Sequence, residues 1–292
     1  MKRLGNRWKV IAGVALLASV DASAAPVVFS GNGAAATAAF DSFRAAIGGG
    51  SRIGWDGVKL DGTDANPATR VIDPGKTVEI PIDRFRNVGA IYADPYAVSG
   101  DGFASVNPGS AGQFPAFTPN NTFAMFDPEN GKFDDRFIEQ TFVLPGTDTV
   151  AGTRGFGAIF VDSEIAGASS IEFRGTNGSG QSVTLGKYDV PTGASGETQF
   201  LGVLFDTPVI SEVVLTVGTN ALFSFDGTTF QSFGAGEGVD LAVTDDFVFA
   251  TPETLQAVPL PAAAYFMGFG VAILARFARS RTDTTKMTNV NA

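Results

Sequence analysis

The sequence predicts a mainly β chain: a single antiparallel β-sandwich, jelly-roll-like, with one short N-terminal helix. Three observations predict it. Short apolar stretches recur from Thr77 to Phe249, each bounded by Gly, Asn, Asp or Pro. Some alternate cleanly, as Ser170-Ile171-Glu172-Phe173-Arg174 does, which suits a sheet with one wet face. Only one segment, near residue 40, carries a helical period. No internal repeat or second composition regime divides the chain, so one domain is expected.

Val27-Val28-Phe29 predicts the first strand. Gly31-Asn32-Gly33-Ala34-Ala35-Ala36 then reads G-x-G-x-x-A and opens a helix with Phe40, Phe43 and Ile47 on one face, ended by Gly48-Gly49-Gly50. The glycine pattern mimics a dinucleotide fingerprint. A turn before an Ala-rich helix explains it, because no alternation of strand and helix follows. Residues 51–76 are turn-rich, with Trp55-Asp56-Gly57, Asp61-Gly62, Asn66-Pro67 and Asp73-Pro74-Gly75. Thr77 to Ile82, Val88 to Ala93 and Gly102 to Val106 predict strands. Asn107 to Asn121 predicts a loop and Asp127 to Gly131 a turn. Further strands are expected at Phe137 to Leu144, Phe156 to Val161, Ser170 to Arg174, Val183 to Leu185, Phe200 to Phe205, Val213 to Val217 and Leu222 to Phe225. The last is Val239 to Val243, running on to Phe247-Val248-Phe249. With 26 Phe against 4 Tyr and 2 Trp, the core should be built of plain apolar rings.

The two ends read as targeting segments. Lys2, Arg3, Arg7 and Lys9 precede the apolar run Val10 to Val20, and Ala22-Ser23-Ala24 supplies small residues for signal peptidase, which predicts a signal peptide over 1–24. At the other end, Val258-Pro259-Leu260-Pro261-Ala262 leads into an uncharged apolar run to Ala275, closed by Arg276, Arg279 and Arg281. This run is shorter than the roughly 20 residues that span a bilayer comfortably. With its flanking residues it could cross a thin one, arginines inside. The organisation expected is therefore a signal peptide (1–24), a β-sandwich domain (25–257), a hydrophobic sorting or transmembrane helix (258–281) and a short polar tail (282–292).

Composition narrows the chemistry. Residues 25–257 hold 28 acidic and 12 basic side chains, a charge of −16, which argues against nucleic acid as a partner. The absence of Cys removes disulfides and thiol chemistry. The absence of His removes Ser–His–Asp and Cys–His catalysis and most zinc or copper sites, so any metal must be held by oxygen.

The C-terminal layout resembles the VPLPA variant of the PEP-CTERM sorting signal of bacterial exported proteins. That resemblance implies processing by an exosortase, a membrane-embedded transpeptidase-like enzyme. The domain is also similar to a group of PEP-CTERM exported proteins. The likeness rests on Phe29-Ser30-Gly31-Asn32-Gly33-Ala34, Trp55-Asp56-Gly57, Thr141 to Thr147, Gly155 to Asp162, Phe200-Leu201-Gly202-Val203 and Asp245-Asp246-Phe247. It implies a β-sandwich and an exported location, and no catalytic residues.

Two side-chain sets remain as candidates. Asp240, Asp245 and Asp246 at the last strand, with Asp162 and Glu164 after the Gly-Phe-Gly strand, either cap strands and turns or share a structural Ca²⁺, which takes oxygen ligands only. No Lys or Arg lies between Lys187 and Arg276 to balance them locally. Consecutive Asp residues on a strand should point to opposite faces, so only one of Asp245 and Asp246 should enter a single site. Trp55, with Tyr92 and Tyr96, either lines a sugar-binding face or anchors the core. The function expected is that of a non-enzymatic cell-surface or extracellular-matrix protein. The alternatives are a carbohydrate-binding module for exopolysaccharide, with or without Ca²⁺, and then a polysaccharide-cleaving enzyme using an Asp/Glu pair.

Overall fold

A computed structural model describes residues 25–64, 69–124, 136–234 and 236–258. Among them, sixteen strands accompany one helix. The first part of the chain holds β1 (Val27–Asn32), α1 (Ala34–Ala46), β2 (Ser51–Ile53), β3 (Arg70–Asp73), β4 (Thr77–Ile80), β5 (Ala90–Tyr92), β6 (Tyr96–Ser99) and β7 (Thr122–Ala124). The rest holds β8 (Phe137–Phe142), β9 (Gly155–Val161), β10 (Ser170–Thr176), β11 (Ser182–Asp189), β12 (Thr198–Leu204), β13 (Glu212–Thr216), β14 (Phe223–Phe225), β15 (Phe230–Ser232) and β16 (Val243–Phe249). The mainly β, antiparallel reading with one N-terminal helix is therefore correct.

The strands form two large sheets and a hairpin. The larger sheet runs β1-β12-β9-β16-β7-β6-β4-β3, with β2 also paired to β16. The smaller runs β11-β10-β13-β8-β5, and β14 pairs β15. One apolar cluster joins the two sheets: Phe123, Phe156 and Phe247 from the larger meet Ile138, Phe142, Ile171, Phe173 and Leu215 from the smaller. A second cluster covers the opposite face of the larger sheet, where Phe40, Phe43 and Ile47 of the helix region meet Ile159, Val161, Phe200, Val243 and Val248. The larger sheet is thus covered on both faces. This explains why β9 and β16 are buried at every residue, whereas outer strand β11 is exposed at alternate positions along most of its length.

The glycines of β9 follow from that second layer. A Cβ on Gly157 would lie 2.7 Å from Cζ of Phe200 and 2.9 Å from Cα of Gly202, so the Phe200 ring occupies the space a larger residue would need. The Gly31–Gly33 turn is explained the same way. Gly33 holds φ 51°, a backbone conformation that favours glycine, and the Glu197 carboxylate end fills the space where a Cβ would lie.

Several local expectations need correcting. Gly102 to Val106 forms turns, not a strand, with Phe103 at φ 62° and its amide bound to Oγ of Ser99. Phe103 and Val106 are apolar because they fill the second cluster, and a periodicity argument cannot separate the two causes. The turn-rich 51–76 stretch contains β2 and β3, and β6, β7 and β15 are further short strands. The expected Asp127 to Gly131 turn, the 1–24 segment and residues beyond Val258 lie outside the described residues.

Phe156 and Phe173 are fully buried, each in the cluster shared by the sheets. Replacing either by Ala is expected to cost about 3–5 kcal/mol in a urea titration. Phe230→Ala, at a side chain 40% exposed, should stay within about 0.5 kcal/mol. Wild-type stability in both core variants would contradict these inward faces. With no cysteine in the chain, reducing agent should leave the unfolding midpoint unchanged.

Candidate functional site

The candidate site lies where β16 changes neighbours. Thr244 pairs with Phe123 of β7, whereas Phe247 to Phe249 pair with Ile53 to Ser51 of β2. Asp245 and Asp246 stand between, and there the pairing with β9 slips: Thr244 opposes Phe160 but Phe247 opposes Ala158, one residue too many on β16. The side chains record the slip. Val243 points to the helix side, yet so does Val248, while Phe247 and Phe249 face the smaller sheet. A regular strand would keep residues of one parity on one face.

The bulge brings both carboxylates to one loop. Asp245 Oδ2 accepts hydrogen bonds from the amides of Phe117 (2.5 Å) and Thr118 (3.3 Å). Asp246 Oδ1 accepts from the Thr118 hydroxyl (3.3 Å), and its Oδ2 meets the Arg52 guanidinium at 2.5 Å. The expectation that only one of the pair enters a single site is therefore wrong, because strand alternation fails at a bulge. Asp56, in the turn after β2, completes the arrangement. Its Oδ1 accepts from the amides of Asn120 (2.5 Å) and Asn121 (3.1 Å). Three aspartates thus bind loop 117–121 through its own N–H and O–H groups, at the place where the ladder is interrupted.

Both carboxylates are fully buried. Burial is the main cause that pushes the Asp245 carboxyl up to about 8, and the neighbouring Asp246 and Asp56 add to it, against the amides of Phe117 and Thr118. Asp246 is also raised, by burial first, while Arg52 and Thr118 hold it down. Oδ1 of Asp245 is buried without a hydrogen-bond partner among the described residues. The balancing charge absent from the local sequence comes from Arg52, 194 positions away.

Asp162 and Asp240 serve a different place. Asp162 follows β9 at φ 68°, and its Oδ1 accepts from Ser195 Oγ (3.0 Å) and the Gly196 amide (2.5 Å). Asp240 accepts from the amides of Glu164 (3.4 Å) and Ile165 (3.1 Å). Burial raises the Asp240 carboxyl, and the charges of Asp162 and Glu164 add to the effect. The structure therefore brings Asp162, Glu164 and Asp240 together, and separately Asp245 and Asp246. The two sets share no hydrogen-bond partner, and no group of three or more acids among the described residues is arranged to hold a metal ion. Asp162, Asp240, Asp245 and Asp246 are each engaged by donors of the fold, as the capping alternative requires.

Trp55, Tyr92 and Tyr96 are corrected as a sugar-facing set: each is 1% exposed or less. Trp55 stacks on Phe123 (centroids 4.0 Å apart), meets Phe247 and Phe85 edge-on, and donates from Nε1 to the Asp245 carbonyl at 2.5 Å. Tyr92 and Tyr96 pack against each other at 4.8 Å, and the Tyr96 hydroxyl donates to the Glu139 carbonyl. Burial pushes both phenols up, Tyr92 well beyond its usual range. Arg52, Asp56 and Thr118, which complete the site, escape sequence reading. Only the Trp-Asp-Gly turn offered a signal.

Of the terminal motif, Val258 is described. Its amide donates to the Thr176 carbonyl at 2.7 Å, beside Asn177. Pro259, Leu260, Pro261, Ala262, Arg276, Arg279 and Arg281 lie outside the described residues. Among the described residues no helix is long and apolar enough to cross a membrane.

The site has a pH signature. Asp245 binds its proton more tightly folded than unfolded, so its stabilising contribution is complete below about pH 4 and is lost as pH rises towards about 8. The slope is at most about 1.4 kcal/mol per pH unit. Asp245→Asn keeps an acceptor for Phe117 and removes the charge. Its melting temperature is expected to exceed wild type at pH 8–9 and to approach it at pH 4–5. Parallel curves would contradict this account. Arg52→Met should destabilise by up to about 3 kcal/mol at pH 7, Arg52 being a third exposed, and by less in acid as Asp246 takes a proton.

Comparison of the chain with protein-family models, with curated proteins and with solved structures finds no match in any of the three.

Proposed function

We propose that the chain is an exported, non-enzymatic protein of the cell surface or extracellular matrix, its domain a β-sandwich of jelly-roll-like type. One observation carries the non-enzymatic part. The side chains best suited to a ligand are committed to the fold: Trp55, Tyr92 and Tyr96 are core, and Asp162, Asp240, Asp245 and Asp246 accept the fold's own N–H, O–H and guanidinium donors. The sandwich reading is supported by the apolar cluster common to both sheets.

Export is supported by the two ends of the sequence. The basic n-region, apolar run and Ala22-Ser23-Ala24 suit signal peptidase, and the 258–281 segment with Arg276, Arg279 and Arg281 suits a membrane intermediate oriented arginines-in. On the PEP-CTERM resemblance, an exosortase would then process the chain near Val258–Ala262.

Intact-mass analysis of the protein recovered from cell-surface and medium fractions tests this. The expected product begins near Ala25 and ends, or carries a modification, near Val258–Ala262. Recovery of the whole chain from the cytoplasm would overturn the proposal. On a glycan array, with and without Ca²⁺, no specific binding is expected. Saturable binding to one polysaccharide class would favour the carbohydrate-binding alternative instead.

A further inference from the structure

After β16 the chain stays bound to the domain. Residues 250–258 cross one end of the smaller sheet, the end at which β5 and β13 begin and β8 and β10 finish. Backbone hydrogen bonds hold the crossing at intervals. The Ala250 amide donates to the Gly155 carbonyl (3.0 Å), and Glu253 and Gly152 exchange two bonds of 2.8 Å. The Gln256 amide then donates to the Pro208 carbonyl (3.0 Å) and the Val258 amide to that of Thr176 (2.7 Å).

The side chains follow the same path. Pro252, Leu255 and Val258, spaced three residues apart, each fill the space that a side chain on a facing glycine would take. A Cβ on Gly89 would lie 2.7 Å from Cγ of Pro252, and one on Gly152 2.6 Å from Cδ1 of Leu255. One on Gly175 would lie 3.0 Å from Cγ2 of Val258. Carbonyl oxygens of Val143, Pro208 and Val209 border the same three notches, so their walls are partly backbone. Between these contacts Thr251, Glu253, Thr254, Gln256 and Ala257 are exposed, and exposure alone would mark a stretch open to proteolysis.

We infer that residues 250–258 are a strap that shields this stretch from peptidases and confines C-terminal processing to bonds beyond Val258. A peptidase acts on chain freed from the fold, and freeing any bond here means opening the strap's hydrogen bonds and emptying its notches. The residue that follows is Pro259 of the Val-Pro-Leu-Pro-Ala motif, so protection extends up to that motif. The bearing on native processing rests on the proposed reading of 258–281 as a processed segment, whereas the strap itself does not.

Limited digestion of the full chain in a non-ionic detergent, using a peptidase of broad specificity and intact-mass readout, tests the inference. Wild type should yield a core that keeps Val258, with no cut within 251–258 while the domain stays folded. Leu255→Asp and Val258→Asp, which put a charge into a notch, should each speed cutting within 251–258 about tenfold or more. Thr254→Asp, at an exposed position between notches, should keep the protection. All variants share the same prolines, so a difference among them reports the strap, and a cooperative melt in each would verify folding. Rapid cutting of wild type within 251–258, or protection unchanged in both notch variants, would overturn the inference. Native protein ending between 251 and 257 would overturn it too, whereas recovery of the unprocessed chain would count against the processing reading alone.

Discussion

Two adjacent carboxylates inside the middle of a sheet are the constraint around which the larger sheet is arranged. Asp245 and Asp246 have no solvent exposure, and a buried charge is tolerated only if it is paired, hydrogen-bonded or neutralised. The fold uses all three. Arg52 pairs with Asp246, amides of loop 117–121 bind Asp245, and burial favours the protonated Asp245 carboxyl. Each remedy draws in another element. Arg52 lies on β2, whose partner in the sheet is β16 itself, and the Arg52 guanidinium also lies 5.9 Å from the ring centroid of Phe40 on α1.

The geometry gives these acids a structural task. Two strands, β7 and β2, share one side of β16 in succession, and the residues between them cannot continue the ladder. Carboxylates at the bulge and in the turn after β2 supply the acceptors that a strand would have supplied, to Phe117, Thr118, Asn120 and Asn121. Trp55 seals the inner side by stacking on Phe123 while its Nε1 donates to the Asp245 carbonyl. Asp162 and Asp240 do the same for the turns before β12 and after β9. An acidic chain with few basic side chains has put part of its charge to work as turn and loop acceptors.

The second structural theme is coverage. The larger sheet is packed on one face by the smaller sheet and on the other by α1 and the β14–β15 hairpin region, through clusters rich in phenylalanine. Small residues open space for the rings, as Gly157 and Gly202 do for Phe200. Among the described residues the cover stops short of the start of β1, where Val27 and Val28 are about half exposed.

How much of this was legible in the sequence depends on the range over which each feature is decided. The helix face of Phe40, Phe43 and Ile47, the alternation of β10 and the Phe-rich core follow from local period and composition, and the sequence by itself determined them. It also determined the basic and apolar make-up of the two ends and the absence of thiol and imidazole side chains. Other features needed the tertiary structure. Whether Trp55 meets a sugar or a core depends on what lies over the strand, not on its neighbours in sequence. The partners of Asp245 and Asp246 lie from 127 to 194 positions away, beyond any spacing rule. The bulge that turned both acids to one loop changes parity within a single residue, and nothing in a run of apolar and acidic residues marks where a strand slips. Period is a property of the chain, whereas burial and pairing are properties of what the chain meets, so only the folded sheet could decide them.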